Sequence, residues 1–85
     1  MDESTVREKI RDFIKRDLMR DEDYNLTDDE GIITGGLMGS FDLAELGVFV
    51  EDEFDIYIPD PDLTVEKMDT LNLMVARVMR DQDQS

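Results

Sequence analysis

Neither cysteine nor histidine occurs in this 85-residue sequence, and there are only two prolines. The missing cysteine excludes disulfide bonds, thiol nucleophiles and thiolate metal sites. The missing histidine removes the commonest general base near neutral pH. A domain of this size also has little room for a cleft deep enough to shift the pKa of a carboxylate. We therefore expect a protein that is not itself an enzyme.

Long apolar runs are absent as well. No stretch approaches the roughly 20 residues that cross a membrane, and residues 1–10 lack the basic and apolar parts of a signal peptide. We expect one monomeric domain over residues 1–85 in the cytoplasm, without membrane insertion. Residues 81–85 are expected to form a frayed tail.

Positive charge is scarce, because nine lysines and arginines face 23 aspartates and glutamates, giving a net charge of −14. Such a chain repels a phosphate backbone, which argues against nucleic acid as a partner. Complementary fields speed the encounter of oppositely charged proteins. The charge therefore favours partner proteins with basic patches, although solubility alone is a second explanation of the same composition.

Three segments have apolar residues at every third or fourth position, which is typical of helices with one buried face. Thr5 with Glu8 predicts a capping box for the first helix, and Thr64 predicts the cap of a short helix before the last one. The fold class is all-α, a small four-helix bundle with a long loop after the first helix. The apolar positions are Val6, Ile10, Phe13, Ile14 and Leu18 in the first helix, Phe41, Ala44 and Val48 with Leu43, Leu46, Val50 and Phe54 in the second, Leu71, Met74, Val75 and Val78 in the last, and Tyr24, Leu26, Ile32 and Ile33 as anchors of the loop.

The long loop is acidic, and Asp21, Asp23 and Asn25 have the first three spacings of an EF-hand calcium site. The sixth position is Leu26 instead of the glycine of the sharp turn. The twelfth is Ile32 instead of the bidentate glutamate. We therefore expect a solvated loop and no metal.

Ser40 follows a glycine-containing loop and begins the second predicted helix. Serine is a good N-cap residue, and Asp42 lies in the first turn, where the helix dipole favours an acid. No histidine is available to activate the hydroxyl, and the nearest titratable groups in the sequence are Asp42 and Glu45. Ser40 is either only a cap or the point where another protein attaches a group.

The segment GGLMGSFDLAELGVFVEDEFDIYIPD, residues 35–60, resembles the central motif of acyl carrier proteins and the related peptidyl carrier domains. The order of helices and loops over nearly the whole chain is also similar. The resemblance implies that a phosphopantetheinyl transferase moves 4′-phosphopantetheine from coenzyme A onto the Ser40 hydroxyl, and that acyl groups ride on this arm as thioesters. The matching residues are Gly36 and Leu37 in the loop, Ser40 and Phe41 at the attachment point, Glu45, Leu46, Glu51 and Phe54 in the helix, and Ile58, Pro59 and Asp60 in the turn.

The residue before the serine departs from this pattern, because Gly39 stands where the family has aspartate. The departure implies less efficient modification. Acyl-loading and acyl-using enzymes with basic patches are the implied partners, in fatty-acid biosynthesis or, favoured by the resemblance to free-standing carriers, a specialised polyketide-type pathway. An aminoacyl or peptidyl carrier is one alternative, and an unloaded acidic interaction module with Ser40 only as a cap is another. The expected docking residues are Asp42, Glu45, Glu51 and Asp52, with Met38, Phe41 and Val48 as apolar contacts, although Phe41 and Val48 also fit a role in the core.

Overall fold

The first helix begins one turn earlier than its predicted capping box. The computed structural model describes residues 2–83, and helix α1 is Glu3–Phe13. Its cap is Asp2, whose Oδ1 accepts a hydrogen bond from the Thr5 amide at 2.8 Å. Hydrogen bonding from the side chain and the backbone amide of Thr5 lowers the pKa of Asp2. The capping box of Thr5 and Glu8 is therefore wrong, because Thr5 donates to an earlier cap instead of acting as one.

A π-helical turn, Ile14–Leu18, continues α1. The Met19 amide closes it by donating to the Ile14 carbonyl at 2.7 Å, across one residue more than in an α-helix. Arg20 then adopts the left-handed conformation with φ 57° and ends the helix. The last helical residue is Leu18, so the helix ends one residue before the predicted range of residues 19–21.

The long loop packs on the core through the side chains that its sequence predicts. Leu26 and Ile32 are buried, and Tyr24 and Ile33 are half-buried. The Tyr24 hydroxyl donates to the Glu30 carboxylate, a bond that raises the pKa of Tyr24. The loop is therefore a folded part of the domain from Tyr24 onward.

Helix α2, Ser40–Phe54, buries Leu43, Leu46, Val50 and Phe54. Gly47 allows the Leu63 side chain to pack against the helix, because a Cβ at position 47 would lie 3.3 Å from Leu63 Cδ1. The helix ends at Asp55, whose φ of 58° is left-handed. Beyond it, Ile56 and Ile58 are buried.

The C-terminal third consists of a 3₁₀ turn, Asp60–Asp62, a one-turn helix α3, Val65–Met68, and helix α4, Leu71–Asp83. The Thr64 hydroxyl caps α3 as predicted, accepting from the Lys67 amide at 3.3 Å. Helix α4 includes residues 81–83, which the sequence assigned to a frayed tail. The rest of that predicted tail, residues 84–85, lies outside the described residues.

The four helices enclose one core, and residues 2–83 contain no β-strand. The small all-helical bundle predicted from the sequence is therefore confirmed. No helix within this range is long and apolar enough to cross a membrane. The buried apolar residues are Val6, Ile10, Ile14, Leu26, Ile32, Met38, Leu43, Leu46, Val50, Phe54, Ile56, Ile58, Met68, Leu71, Met74, Val75 and Val78.

Two leucine-to-alanine substitutions measure the value of this core. Leu46 is 0% exposed, so Leu46→Ala should lower the free energy of unfolding by about 2–5 kcal/mol through lost burial and a residual cavity. Leu73 on α4 is 39% exposed, so Leu73→Ala should cost less than about 1 kcal/mol. Urea denaturation followed by circular dichroism compares the two. Equal losses would contradict the assignment of Leu46 to the core.

Candidate functional site at the start of helix α2

Ser40 is the first residue of α2, and its cap is Gly39, with φ −108° and ψ −174°. The Leu43 amide donates to the Gly39 carbonyl at 3.2 Å, which closes the first turn. The prediction that Ser40 is the N-cap is therefore wrong by one residue. The Ser40 side chain is exposed, and its hydroxyl makes no hydrogen bond to another residue in the described part of the chain. The hydroxyl is thus available to a reagent from outside.

Asp42 caps the helix from inside its first turn. Its Oδ2 accepts a hydrogen bond from the Gly39 amide at 3.0 Å, which is one half of a capping box. The other half is missing because glycine has no side chain to accept from the Asp42 amide. Asp42 therefore has a structural role that its predicted docking role did not include.

The space around Gly39 is open. A Cβ built on this residue meets no atom within 4 Å outside its chain neighbours, and its backbone angles suit any amino acid. Aspartate therefore fits here without strain, and glycine is not required by the fold.

The apolar residues near Ser40 divide between surface and core. Phe41 is 75% exposed and Val48 is 59% exposed, which excludes the alternative that they are core residues. Met38 is only 4% exposed and belongs to the core. Its predicted role as a surface contact is therefore corrected, because the chain turns inward just before the helix. An exposed stripe of Phe41, Ala44 and Val48 runs along α2.

The predicted acidic docking residues Glu45, Glu51 and Asp52 are exposed on α2. Glu51 and Asp52 lie near the C-terminal end, where the helix dipole is negative and the last turn of α2 contains no basic residue. An acid in such a place costs about 0.3–1 kcal/mol at low ionic strength. Helix stability therefore does not explain why these carboxylates are there.

The negative charge is concentrated around this site. Residues 21–66, which include the long loop and α2, hold fifteen of the 23 acidic residues and no lysine or arginine. The segments on either side are close to neutral, since they hold all nine cations. The field that a partner meets is therefore set by the loop and α2.

Two open grooves flank the exposed stripe. One of about 220 Å³ is lined by Ala44, Gly47, Val48 and Leu63, among others. The other, of about 360 Å³, lies between α1 and α2 and has Phe49 in its wall. The two rings of Phe13 and Phe49 are stacked there with centroids 4.2 Å apart. Apolar surface is therefore available on both sides of Val48.

The loop before Ser40 is held by a residue that the sequence did not single out. The Leu37 and Met38 amides donate to the Ile32 carbonyl at 2.9 and 3.4 Å, and the Ile32 amide donates to the Asp69 carbonyl at 2.7 Å. Asp69 lies at the junction of α3 and α4. The one sequence feature that could have indicated this role is an acidic residue between two predicted helices, and that feature is not specific.

Metal binding finds no support among residues 2–80. No group of three or more aspartate or glutamate side chains lies close enough together there to hold an ion.

Comparison with known proteins gives no family assignment. No protein-family model matches the chain, and no curated protein matches it significantly. The site is therefore interpreted from its own chemistry and from the resemblance of its sequence motif.

Substitutions at Gly39 test the capping geometry. Gly39→Asp should raise the free energy of unfolding by a few tenths of a kcal/mol, because its carboxylate can accept from the first-turn amides and is favoured by the helix dipole. Gly39→Ala should lower it, since alanine is a poor N-cap. Thermal denaturation at physiological ionic strength compares both with the wild type. The capping geometry would be refuted if alanine stabilised the domain more than aspartate.

Proposed function

We propose that this chain is a carrier domain whose Ser40 hydroxyl receives 4′-phosphopantetheine. The observation that carries the proposal is an exposed serine hydroxyl without a hydrogen-bond partner in the described structure, at the first position of α2. A buried hydroxyl would be inaccessible to a transferase. Ser40 instead combines a fixed backbone with an accessible oxygen.

The proposed reaction needs a second protein. The Ser40 oxygen forms a bond to the β-phosphorus of coenzyme A, the phosphoanhydride bond breaks, and adenosine 3′,5′-bisphosphate leaves. The hydroxyl proton passes to a base on the transferase, since this chain has no histidine or cysteine to accept it. The chain is the acceptor substrate in this reaction.

The start of α2 suits the product electrostatically. The first amides of a helix and the positive end of its dipole stabilise a phosphate at that end. The arm also ends in a thiol, which would supply the thioester chemistry that a chain without cysteine lacks. Acyl groups would then be carried as thioesters on the arm.

The partner surface of the proposed carrier is the exposed face of α2. Glu45 and Asp52 border the groove beside Val48, and Phe41 lies next to Ser40. Enzymes with basic patches around an apolar contact are the complementary partners. Resemblance of the motif favours a specialised polyketide-type pathway over fatty-acid synthesis, with an aminoacyl or peptidyl carrier as the alternative cargo class.

One observation favours a second candidate function. Gly39 leaves the position of the family's aspartate without a side chain, which fits an unloaded acidic interaction module with the same fold. The two candidates differ in one measurable event, the covalent modification of Ser40.

Loading is tested by intact-mass spectrometry. Wild-type protein incubated with coenzyme A, Mg²⁺ and a broad-specificity transferase should gain the mass of one phosphopantetheine group, and Ser40→Ala should gain none. Gly39→Asp should load faster than wild type if an acid before the serine helps the transferase to bind. No gain on the wild type with several transferases would favour the unloaded module, and equal gain on Ser40→Ala would move the attachment site.

A charge reversal tests the docking surface. Glu45→Lys should weaken transferase binding about three- to tenfold, because it places a cation where a basic patch is expected to approach. Glu8→Lys makes the same change at an exposed position on α1 and serves as the matched control. Binding is measured by surface plasmon resonance at two salt concentrations. Equal effects of the two substitutions would indicate a non-specific charge effect and contradict the assignment of the surface to α2.

A further inference from the structure

The carboxylate of Asp69 lies under the loop that leads to Ser40. Its Oδ1 accepts hydrogen bonds from the Ile33 and Thr34 amides, both at 2.9 Å, and its Oδ2 accepts from the Thr34 hydroxyl at 2.9 Å. The Asp69 carbonyl accepts from the Ile32 amide. One residue at the junction of α3 and α4 thus binds three consecutive residues that are 35 to 37 positions away in the sequence.

The turn around this carboxylate is tight. A Cβ at Gly31 would lie 2.3 Å from Thr34 Oγ1 and 3.3 Å from Asp69 Oδ2, and a Cβ at Gly35 would lie 2.4 Å from the Gly31 carbonyl oxygen. A side chain at position 35 would therefore collide with the backbone of Gly31, and one at position 31 would displace the Thr34 hydroxyl that donates to Asp69. The hydrogen bonds to Thr34 and Ile33 lower the pKa of Asp69, so the carboxylate is ionised at neutral pH.

Asp69 is not used as the cap of the helix that follows it. Thr70 fills that role, since its hydroxyl accepts from the Leu73 amide at 3.1 Å and its carbonyl accepts from the Met74 amide at 3.0 Å. An acid just before a helix ordinarily caps it. Here the carboxylate is directed to the loop instead.

A short path connects this contact to the serine. The Ile32 amide donates to the Asp69 carbonyl, and the Ile32 carbonyl accepts hydrogen bonds from the Leu37 and Met38 amides. Met38 is buried in the core. Gly39 and Ser40 follow directly. Both ends of the turn are therefore fixed before the chain enters α2.

We propose that Asp69 is a positioning residue, which holds the 31–38 loop so that Ser40 is presented to the transferase in one orientation. The loading half of this inference rests on the proposed function, whereas the loop half does not. A fixed approach favours catalysis because the reacting oxygen is already oriented when the complex forms. The contribution of Asp69 is thus to the orientation of the acceptor, and it does not touch the reacting atoms.

The loop half is tested by amide hydrogen exchange of the full chain. In Asp69→Ala, the Ile33 and Thr34 amides should exchange on the order of tenfold faster or more, because a charge-assisted acceptor is lost. The amides of Val50 and Val75 in the core should be unchanged. Asp12→Ala, an exposed aspartate on α1, is the matched control and should alter none of them.

The loading half is tested on the same variants with the transferase assay. Asp69→Ala should reduce kcat/KM for Ser40 modification on the order of tenfold, whereas Asp12→Ala should match the wild type. Thr34→Val removes only the hydroxyl bond and should have a smaller effect on both readouts. If Asp69→Ala does not fold, the single variants Asp69→Asn and Thr34→Val replace it. Each should have exchange rates at Ile33 and Thr34 between those of the wild type and those of a fully released loop.

The outcomes separate this inference from the proposed function. Unchanged exchange at Ile33 and Thr34 would overturn the positioning role. Faster exchange with an unchanged loading rate would overturn it too, although Ser40 loading would stand. If wild-type protein is never loaded, the proposed function fails, and the Gly39 and Ser40 amide resonances decide the positioning role: a shift in Asp69→Ala supports it, and unshifted resonances overturn it.

Discussion

Mutual repulsion within residues 21–66 is the constraint that the rest of the structure has to meet, because fifteen carboxylates occur there without one cation. The flanking helices supply the opposite charge across the fold. Most of these ion pairs are partly exposed and worth little alone, whereas the pair of Arg77 with Asp62 is largely buried. Together they connect the acidic segment to the flanking helices at three places, which are the long loop, the end of α2 and the 3₁₀ turn. The pairs are Arg7 and Arg11 with Asp28, Lys9 with Glu53, Arg16 with Glu22, and Lys67 and Arg77 with Asp62.

The distribution of these pairs leaves the outer face of α2 with its charge. Glu53 and Asp62 are compensated, but no ion pair in the described structure involves Glu45, Glu51 or Asp52. The same helix exposes apolar side chains beside those acids. Burial of Leu43, Leu46, Val50 and Phe54 in the core supplies the stability that this surface does not, so folding and recognition use opposite sides of one helix.

The sequence predicts the elements whose pattern is local. The stripes of α1 and α4 and the cap at Thr64 follow from spacing and residue type alone. Helix α2 was harder, because apolar residues nearly surround it, and periodicity does not distinguish the stripe of Leu43 and Leu46 from that of Phe41 and Val48. The burial of Met38 and the contact of Asp69 with Thr34 depend on how distant segments pack. No spacing along the chain encodes those contacts.

The open space around Gly39 has a consequence for how variation at this position can be interpreted. At most positions in a small domain, the residue is selected both for folding and for function. A residue that is tolerated there therefore gives little information about either requirement. Folding accepts any residue that suits an extended backbone at position 39, and the choice among them changes stability only through helix capping, by about 0.5–2 kcal/mol. The residue that is retained at position 39 therefore reflects the requirements of a partner that approaches Ser40, and core packing has little influence on it.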